Sequence, residues 1–252
     1  MDINKKTVKK LVKISEEASA EILKVYRETN IKKKKKADRS PFTLADLKSE
    51  AVIIKGLKNI SNYPIISEEN YKKYNKYQTK DYWLVDPLDG TKDFLAKNGE
   101  FAINIALIRN HLPVLGLIYI PVEKDYYWAI KGEGAYKKQK RIYNRSKRKN
   151  LIGITSRFYR THEDELFFKK NRINKVITQG SSIKFCKIAE GLVDMYPRNN
   201  GSKEWDVAAG HLILNEAGCK IINLKTKKEL SYHKGSIKND FFVALRNNLE
   251  FL

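Results

Sequence analysis

The sequence is poor in sulfur, in histidine and in acid. Its two cysteines, Cys186 and Cys219, form no CxxC pair and stand beside no histidine cluster. That spacing argues against a disulfide framework and against a structural zinc site, so both read as small core thiols. The histidines are scattered at 111, 162, 211 and 233. His211 falls on the apolar face of a helical pattern and reads as a packed core residue rather than a ligand. Long apolar runs are missing. The longest clean stretch, Phe101 to Ile108, is interrupted by Asn104, far short of the roughly 18 residues a membrane helix needs. The opening MDINKKTVKKLVKIS has no apolar h-region, so no secretory signal is expected. No internal repeat is found.

Acids are outnumbered, with 29 Asp and Glu against 50 Lys and Arg, a formal charge of +21 over 252 residues. That imbalance invites a nucleic-acid reading. The excess is spread along the chain, however, with two local concentrations. Lys32 to Lys36 are five lysines in a row, and Lys137 to Lys149 carries eight basic residues and no acid. Both read as solvated loops that attract polyanions at low salt, and no specific nucleic-acid partner is expected. A hydrophobic share of 42%, with 14 Tyr, 10 Phe and 3 Trp, argues against wholesale disorder. The low-apolar basic stretch near 145–150 suggests two halves, 1–145 and 146–252.

Periodicity predicts mixed helices and strands. Leu11, Ile14, Ala18, Ile22 and Val25 recur at steps of three and four, the mark of a helix with one buried face. Thr43 with Asp46 three residues on reads as a capping box opening a second helix, with Leu47, Ala51 and Ile54 as its apolar stripe. Short strands are predicted at Pro64–Ser67, Trp83–Asp86, 101–108, 114–120, 126–130, 152–155, 176–178, 193–196, 221–222 and 241–245. Helices are predicted over 182–190, closed by Gly191, and over 205–217, closed by Gly218. Layered sheets and helices follow.

The most informative stretch is Trp83-Leu-Val-Asp-Pro-Leu-Asp-Gly-Thr-Lys-Asp-Phe. Asp86 and Asp89 follow an apolar run, and carboxylates at a buried strand end are costly unless something positive meets them. Pro87 fixes its own φ and Gly90 permits a sharp turn. Such a turn can bring both carboxylates and the Leu88 carbonyl to one point, an all-oxygen arrangement suited to Mg²⁺. A polar turn that uses Asp and Gly only for loop geometry is the competing reading, and spacing alone leaves both open. Two further acidic elements weigh toward metal. Ile65-Ile-Ser-Glu68-Glu69 is another apolar strand ending in acid, and Glu204-Trp-Asp206 opens the Ala-rich helix. Asp206 alone could be a helix cap, but carboxylates bridging two metals would account for all three clusters together.

DPLDGTKDF, preceded by ISEE and followed by GSSIKFCKIAEGLVDMYPR and EWDVAAGHLILNEAG, resembles the inositol monophosphatase superfamily, from about Val8 to Leu245. Lys92 after DGT, and the GSSIKF and YPR elements, favour its 3'(2'),5'-bisphosphate nucleotidase branch. The resemblance implies an α/β fold, mixed α+β, layered as an αβαβα sandwich of the sugar-phosphatase type. It implies Glu68, Asp86, the Leu88 carbonyl, Asp89 and Asp206 as ligands for on the order of two or three Mg²⁺ ions, and selects Glu68 over Glu69. Phe42-Thr-Leu-Ala-Asp46 is similar to a family segment whose aspartate pairs with the threonine of DGT, so Asp46 and Thr91, with Glu68, are the implied catalytic residues. Glu68, Leu88, Asp89, Gly90, Thr91 and Asp206 would meet the scissile phosphate. Gly180, Ser181, Ser182, Lys184 and Arg198 would hold the rest of the nucleotide, with Ser156 beside them. For Gly180-Ser-Ser an ordinary N-cap competes.

The activity implied is Mg²⁺-dependent hydrolysis of adenosine 3',5'-bisphosphate to AMP and phosphate, with the 5'-phosphosulfate relative as a second substrate and inhibition by Li⁺, Na⁺ or excess Ca²⁺. Inositol monophosphatase or another sugar-phosphate phosphatase is the alternative, and a basic nucleic-acid-binding protein on such a scaffold a remoter one. The implied partner is a small nucleotide bisphosphate. The implied location is the cytoplasm, with peripheral contact at the inner membrane face aided by the lysine-rich loops. One departure stands out: Asp38-Arg39-Ser40-Pro41 occupies the place of the family's Gly-Ser-Pro segment.

Overall fold

The structure, a computed structural model, describes residues 1–29, 31, 33–35, 41–71, 79–233 and 235–251. Lys32, Lys36, Asp38-Arg39-Ser40 and most of the Tyr71–Lys80 segment therefore lie outside the described residues. The chain opens with α1 (Lys5–Tyr26), the short pair β1 (Lys33–Lys35) and β2 (Pro41–Thr43), and α2 (Leu44–Lys58). A seven-stranded sheet follows, made of β3 (Ile65–Ser67), β4 (Asp81–Asp89), β5 (Ala102–Arg109), β6 (Leu112–Ile120), β7 (Asp125–Ile130), β8 (Gly134–Lys137) and β9 (Lys140–Ile142), with α3 (Thr91–Leu95) between β4 and β5. These strands lie side by side in chain order. β3 and β4 run parallel, and every other neighbouring pair is antiparallel.

The second sheet has five strands in the order β11-β10-β12-β14-β13, built from β10 (Ile152–Ser156), β11 (Lys175–Gln179), β12 (Met195–Arg198), β13 (Cys219–Asn223) and β14 (Phe242–Arg246). Its helices are α4 (His162–Lys170), α5 (Ile183–Ala189) and α6 (Glu204–Glu216).

Strand periodicity sorts the layers. Along β4 to β6, Trp83, Val85, Ile103, Ile105, Leu107, Leu115 and Leu117 join one core with α1 and α2. Their alternates Tyr82, Leu84, Ala106, Ile108, Ile118 and Ile120 join a second core with α5 and α6. Side chains two apart share a face, so central strands buried on both sides read as unbroken apolar runs. α5 and α6 lie between the sheets, and Phe168 of α4 packs with Met195, Val243 and Leu245 on the outer face of the second sheet. The result is the αβαβα sandwich.

α1 buries Leu11, Ile14, Ala18, Ile22 and Val25, the stripe expected from its spacing, and Asn4 caps it through Lys6 N and Thr7 N. The α2 capping box of Thr43 and Asp46 also forms. The stripe assigned to α2 was wrong. Leu47 is 45% exposed and Ala51 is exposed, while Ala45, Ser49, Ile53 and Leu57 are buried. The reason is that polar Asp46 and Ser49 face inward: Ser49 donates to the Pro87 carbonyl (2.7 Å) and Asp46 serves Thr91, so α2 is turned by hydrogen bonds to the end of β4 and the start of α3.

α4 and the β8–β9 hairpin were not expected, although Thr161 with Asp164 is a second capping box. Both cysteines are free and buried. His211 is buried, bonded to the Tyr232 hydroxyl and to Glu229. Lys137 pairs with Asp125 and Glu190, and Arg148 with Asp194, so part of the second basic cluster is structural. Among the described residues, no helix is long and apolar enough to cross a membrane.

Candidate active site

A cavity of about 530 Å³ opens where the C-terminal end of β4, the N-termini of α3, α5 and α6, and the end of β12 converge. Glu68, Asp86, Leu88, Asp89, Gly90, Thr91, Ser156, Ser181, Ser182, Lys184, Arg198 and Asp206 all line it. Asp46 and Gly180 do not line it; Asp46 meets Thr91, and Gly180 precedes Ser181.

Asp86 and Asp89 reach the same space because β4 is irregular. Three apart in a plain strand, they would point to opposite faces. The pairing of β4 with β5 shifts register between Asp86 and Asp89, which reverses that parity. Pro87, which has no N–H to give a ladder, sits inside the irregularity, and Leu88 N donates to Asp86 Oδ1 (3.0 Å). Gly90 follows at φ +91°. A Cβ there would approach Glu100 O to 3.0 Å and Ser181 Cβ to 3.1 Å, so the position demands glycine on both counts.

Asp206 arrives from the first turn of α6, and Lys203 N donates to its carboxylate (2.8 Å). One carboxylate oxygen each of Asp86, Asp89 and Asp206 lies within 4.8 Å of the others. Glu68, in the turn after β3, shares the cavity and adds its charge to both Asp89 and Asp206, but is not in that triad.

Crowded carboxylates resist ionisation. Burial, with Asp89 and Glu68 behind it, pushes the Asp206 carboxyl up to about 7. Burial also raises Asp89, against the opposing pull of Lys184, Ser182 N–H and Asn104. An all-oxygen donor set whose negative charge the protein only partly offsets suits a hard divalent cation.

Thr91 Oγ lies 3.4 Å from Asp46 Oδ1 and from the Leu88 carbonyl. Asp46 Oδ2 accepts from Thr43 N (2.7 Å) and Thr43 Oγ (2.8 Å), which leaves Oδ1 for Thr91. The helix cap and the site thus share one carboxylate.

The opposite flank is basic and aromatic. Lys184 is buried, and its ammonium donates to the Gln179 and Ser181 carbonyls and lies 5.1 Å from the Tyr196 ring centroid. Burial lowers its pKa to about 8, with Asp89 pulling the other way. Lys92 and Arg198 both stand over Tyr159, at 4.1 and 5.4 Å.

The Gly180-Ser181-Ser182 turn is not an ordinary cap, because the Ser182 side chain makes no capping bond to α5. Its N–H donates to Asp89 and its hydroxyl to Asn104 Oδ1 (2.6 Å), so the protein already occupies both of its donors.

Several lining or supporting residues escaped sequence reasoning. Tyr159 sits in an aperiodic loop and carried no signal. Lys203 lay just before the EWD motif, and Tyr196, part of the YPR element, carried no role of its own. Asn104, which donates to Asp89 (3.4 Å), had one: it is the polar interruption of a buried apolar strand.

The sequence pattern of the inositol monophosphatase family matches residues 4–246. The 3'(2'),5'-bisphosphate nucleotidase CysQ of Salmonella typhimurium is 42% identical over 196 residues, covering 74% of this chain and 78% of its own. The CysQ of Buchnera aphidicola is 38% identical over 229 residues, 87% of this chain and 85% of its own. The crystal structure of CysQ from Bacteroides thetaiotaomicron, described as a bacterial member of the inositol monophosphatase family, superposes with a TM-score of 0.84 at 35% identity, over 97% of this chain and 98% of its own. Since the match runs from α1 to the last strand and the layers superpose, the chain belongs to the inositol monophosphatase family.

Proposed function

We propose that the chain is a metal-dependent phosphomonoesterase that hydrolyses the 3'-phosphate of adenosine 3',5'-bisphosphate to give AMP and phosphate. One observation carries this reading: three converging carboxylates face a cation-bearing flank across a single cavity. Relatives named as 3'(2'),5'-bisphosphate nucleotidases support the substrate class.

Asp86, Asp89 and Asp206, with Glu68 and the Leu88 carbonyl, are the residues that would hold Mg²⁺. The ion, when bound, neutralises phosphoryl oxygens, acidifies water and steadies the leaving oxygen. The backbone N–H groups of Gly90 and Thr91, at the start of α3, orient the scissile phosphate. Thr91 Oγ takes a proton from the attacking water while its own moves toward Asp46 Oδ1. Water attacks phosphorus directly, so the carboxylates serve as ligands and no phosphoenzyme forms.

Lys184 and Arg198 hold the 5'-phosphate, Arg198 through its planar fork. Ser182 acts on substrate only by shaping the turn, since both its donors are used within the protein. A cavity with several cations beyond its acidic end suits a ligand with a second anionic group better than an inositol monophosphate.

A panel of adenosine 3',5'-bisphosphate, its 5'-phosphosulfate relative, inositol 1-phosphate and AMP, assayed for phosphate release across an Mg²⁺ titration, tests this. The bisphosphate should give the highest kcat/KM, and chelation should abolish turnover. Preference for inositol 1-phosphate would move the chain to the alternative substrate class, and release that ignores Mg²⁺ would end the metal reading.

A further inference from the structure

Glu100 lies outside every motif discussed above, yet three parts of the site meet on it. Its carboxylate receives a two-pronged grip from Arg157, Nε to Oε2 at 2.9 Å and Nη2 to Oε1 at 2.6 Å. The same Oε2 accepts the Gly180 N–H at 2.7 Å. Its carbonyl oxygen packs against both turn glycines: a Cβ at Gly180 would come within 2.5 Å of it, and one at Gly90 within 3.0 Å. Burial of the Glu100 carboxyl is outweighed by Arg157 and the Gly180 N–H, which together hold it below the ordinary glutamate range.

What Glu100 holds is a turn that does not rest easily by itself. Ser181 stands at φ +52°, a left-handed conformation that side chains other than Gly, Asn and Asp seldom adopt. One residue on, the Ser182 N–H donates to Asp89, and the Ser182 hydroxyl reaches Asn104. The strained residue is thus pinned on one side by Glu100 at Gly180 and on the other by Asp89 at Ser182. Such strain persists where the surroundings over-determine it.

The Glu100–Arg157 pair is partly exposed, at 22% and 38% of the side chains. A surface pair like this contributes little stability in general, and its two-pronged geometry makes its value one of orientation. Arg157 follows directly on β10 of the second sheet, and Glu100 precedes β5 of the first. The pair therefore bridges the two sheets beside the cavity.

We propose that Glu100 is a positioning residue: braced by Arg157, it fixes the Gly180–Ser182 turn so that the Ser182 N–H holds the Asp89 carboxylate in its cation-binding orientation. The consequence for catalysis rests on the metal assignment made above, whereas the hold on the turn does not.

Amide hydrogen exchange of residues 179–184 in the full chain without metal tests the hold directly. Glu100→Ala should speed exchange at Gly180 and Ser182 about tenfold or more, while Glu100→Gln, which keeps an acceptor for Gly180 N–H, should stay close to wild type. Unchanged protection in Glu100→Ala overturns the proposal whatever the metal does. Mn²⁺ titration followed by electron paramagnetic resonance then tests the consequence. Wild type should bind, Glu100→Ala should bind roughly tenfold more weakly with kcat/KM lowered in step, and Glu100→Gln should recover most of the affinity. Failure of wild-type Mn²⁺ binding would overturn the metal assignment and leave exchange to decide the turn. Wild-type Mn²⁺ affinity in Glu100→Ala, at a temperature where it is folded, would reduce Glu100 to a structural contact. Where Glu100→Ala does not fold, Arg157→Met removes the brace alone and should give the same two changes in smaller size; their absence overturns the proposal equally.

Discussion

At the acidic end of the cavity, Asp86, Leu88, Asp89, Gly90 and Thr91 come from six consecutive residues, and one register shift in β4 turns them inward. At the basic end, Lys92, Lys184, Arg198 and Lys203 come from α3, α5, β12 and the cap of α6; Lys92 and Arg198 share the Tyr159 ring, Lys184 holds two carbonyls, and Lys203 stands over Trp205. The acidic end has a local nucleus, which Asp206 from α6 and Glu68 from the turn after β3 join, and its carboxylates crowd one another. The basic end is assembled by tertiary approach and is already well partnered. The difference teaches that the first end should govern the chemical step and the second the hold on the substrate.

Asp89→Asn should break the acidic end hardest. It removes a proposed ligand without changing size, and kcat for adenosine 3',5'-bisphosphate should fall by on the order of 10²–10³-fold. Because Asp89 is one of the crowded carboxylates, the metal-free variant should melt no lower than wild type at pH 8. A large drop in melting temperature together with near-normal turnover would sink the assignment.

Lys184→Met probes the basic end. The expected change is a rise in KM for the bisphosphate of about 10–100-fold, the scale of one buried charge-assisted contact, with kcat changed much less. The ammonium, with its pKa lowered to about 8, holds its proton below that pH and loses it above. Affinity for the dianionic group should therefore weaken as pH rises through about 8, and Lys184→Met should lack that inflection. An equal fall in kcat would blur the division between the two ends.

The smallest effect concerns protons at the acidic end. With Asp206 pushed up to about 7 in the metal-free chain, a cation must displace a proton below that pH. Apparent Mn²⁺ affinity should fall up to about tenfold per pH unit below 7, measured by titration. The native carboxyl binds its proton more tightly than the unfolded one, so it stabilises the metal-free protein at pH below about 4 and that stability fades as pH rises through about 7. A melting temperature that climbs over this window in the absence of metal would contradict the crowding.

Much of this was legible from the chain itself. The α1 stripe, the apolar runs of β4, β5 and β6, and the helix after EWD follow from periodicity, because burial on a helix or strand face repeats at the local pitch. α2 misled because a capping aspartate and a serine face inward for hydrogen bonds, which turns the helix away from its most apolar stripe. Asn104 was visible only as a flaw in a strand, and Tyr159 and Glu100 were invisible, since an aperiodic loop residue declares its partner only once the chain is folded. Ser182 shows the reverse case: the motif was seen, but its donors turned out to be spent inside the protein.

The sequence alone determined most of the strands and helices, though not α4 or the β8–β9 hairpin, and it concentrated carboxylates around a Pro and a Gly, because backbone geometry and capping act over a few residues. The tertiary structure alone decided that the Asp206 and Asp89 carboxylates share one pocket, that Lys184 loses its solvent, and that Glu100 grips a turn 80 positions away. Those outcomes depend on desolvation and on close approach between distant segments, and both exist only after the two sheets close on α5 and α6.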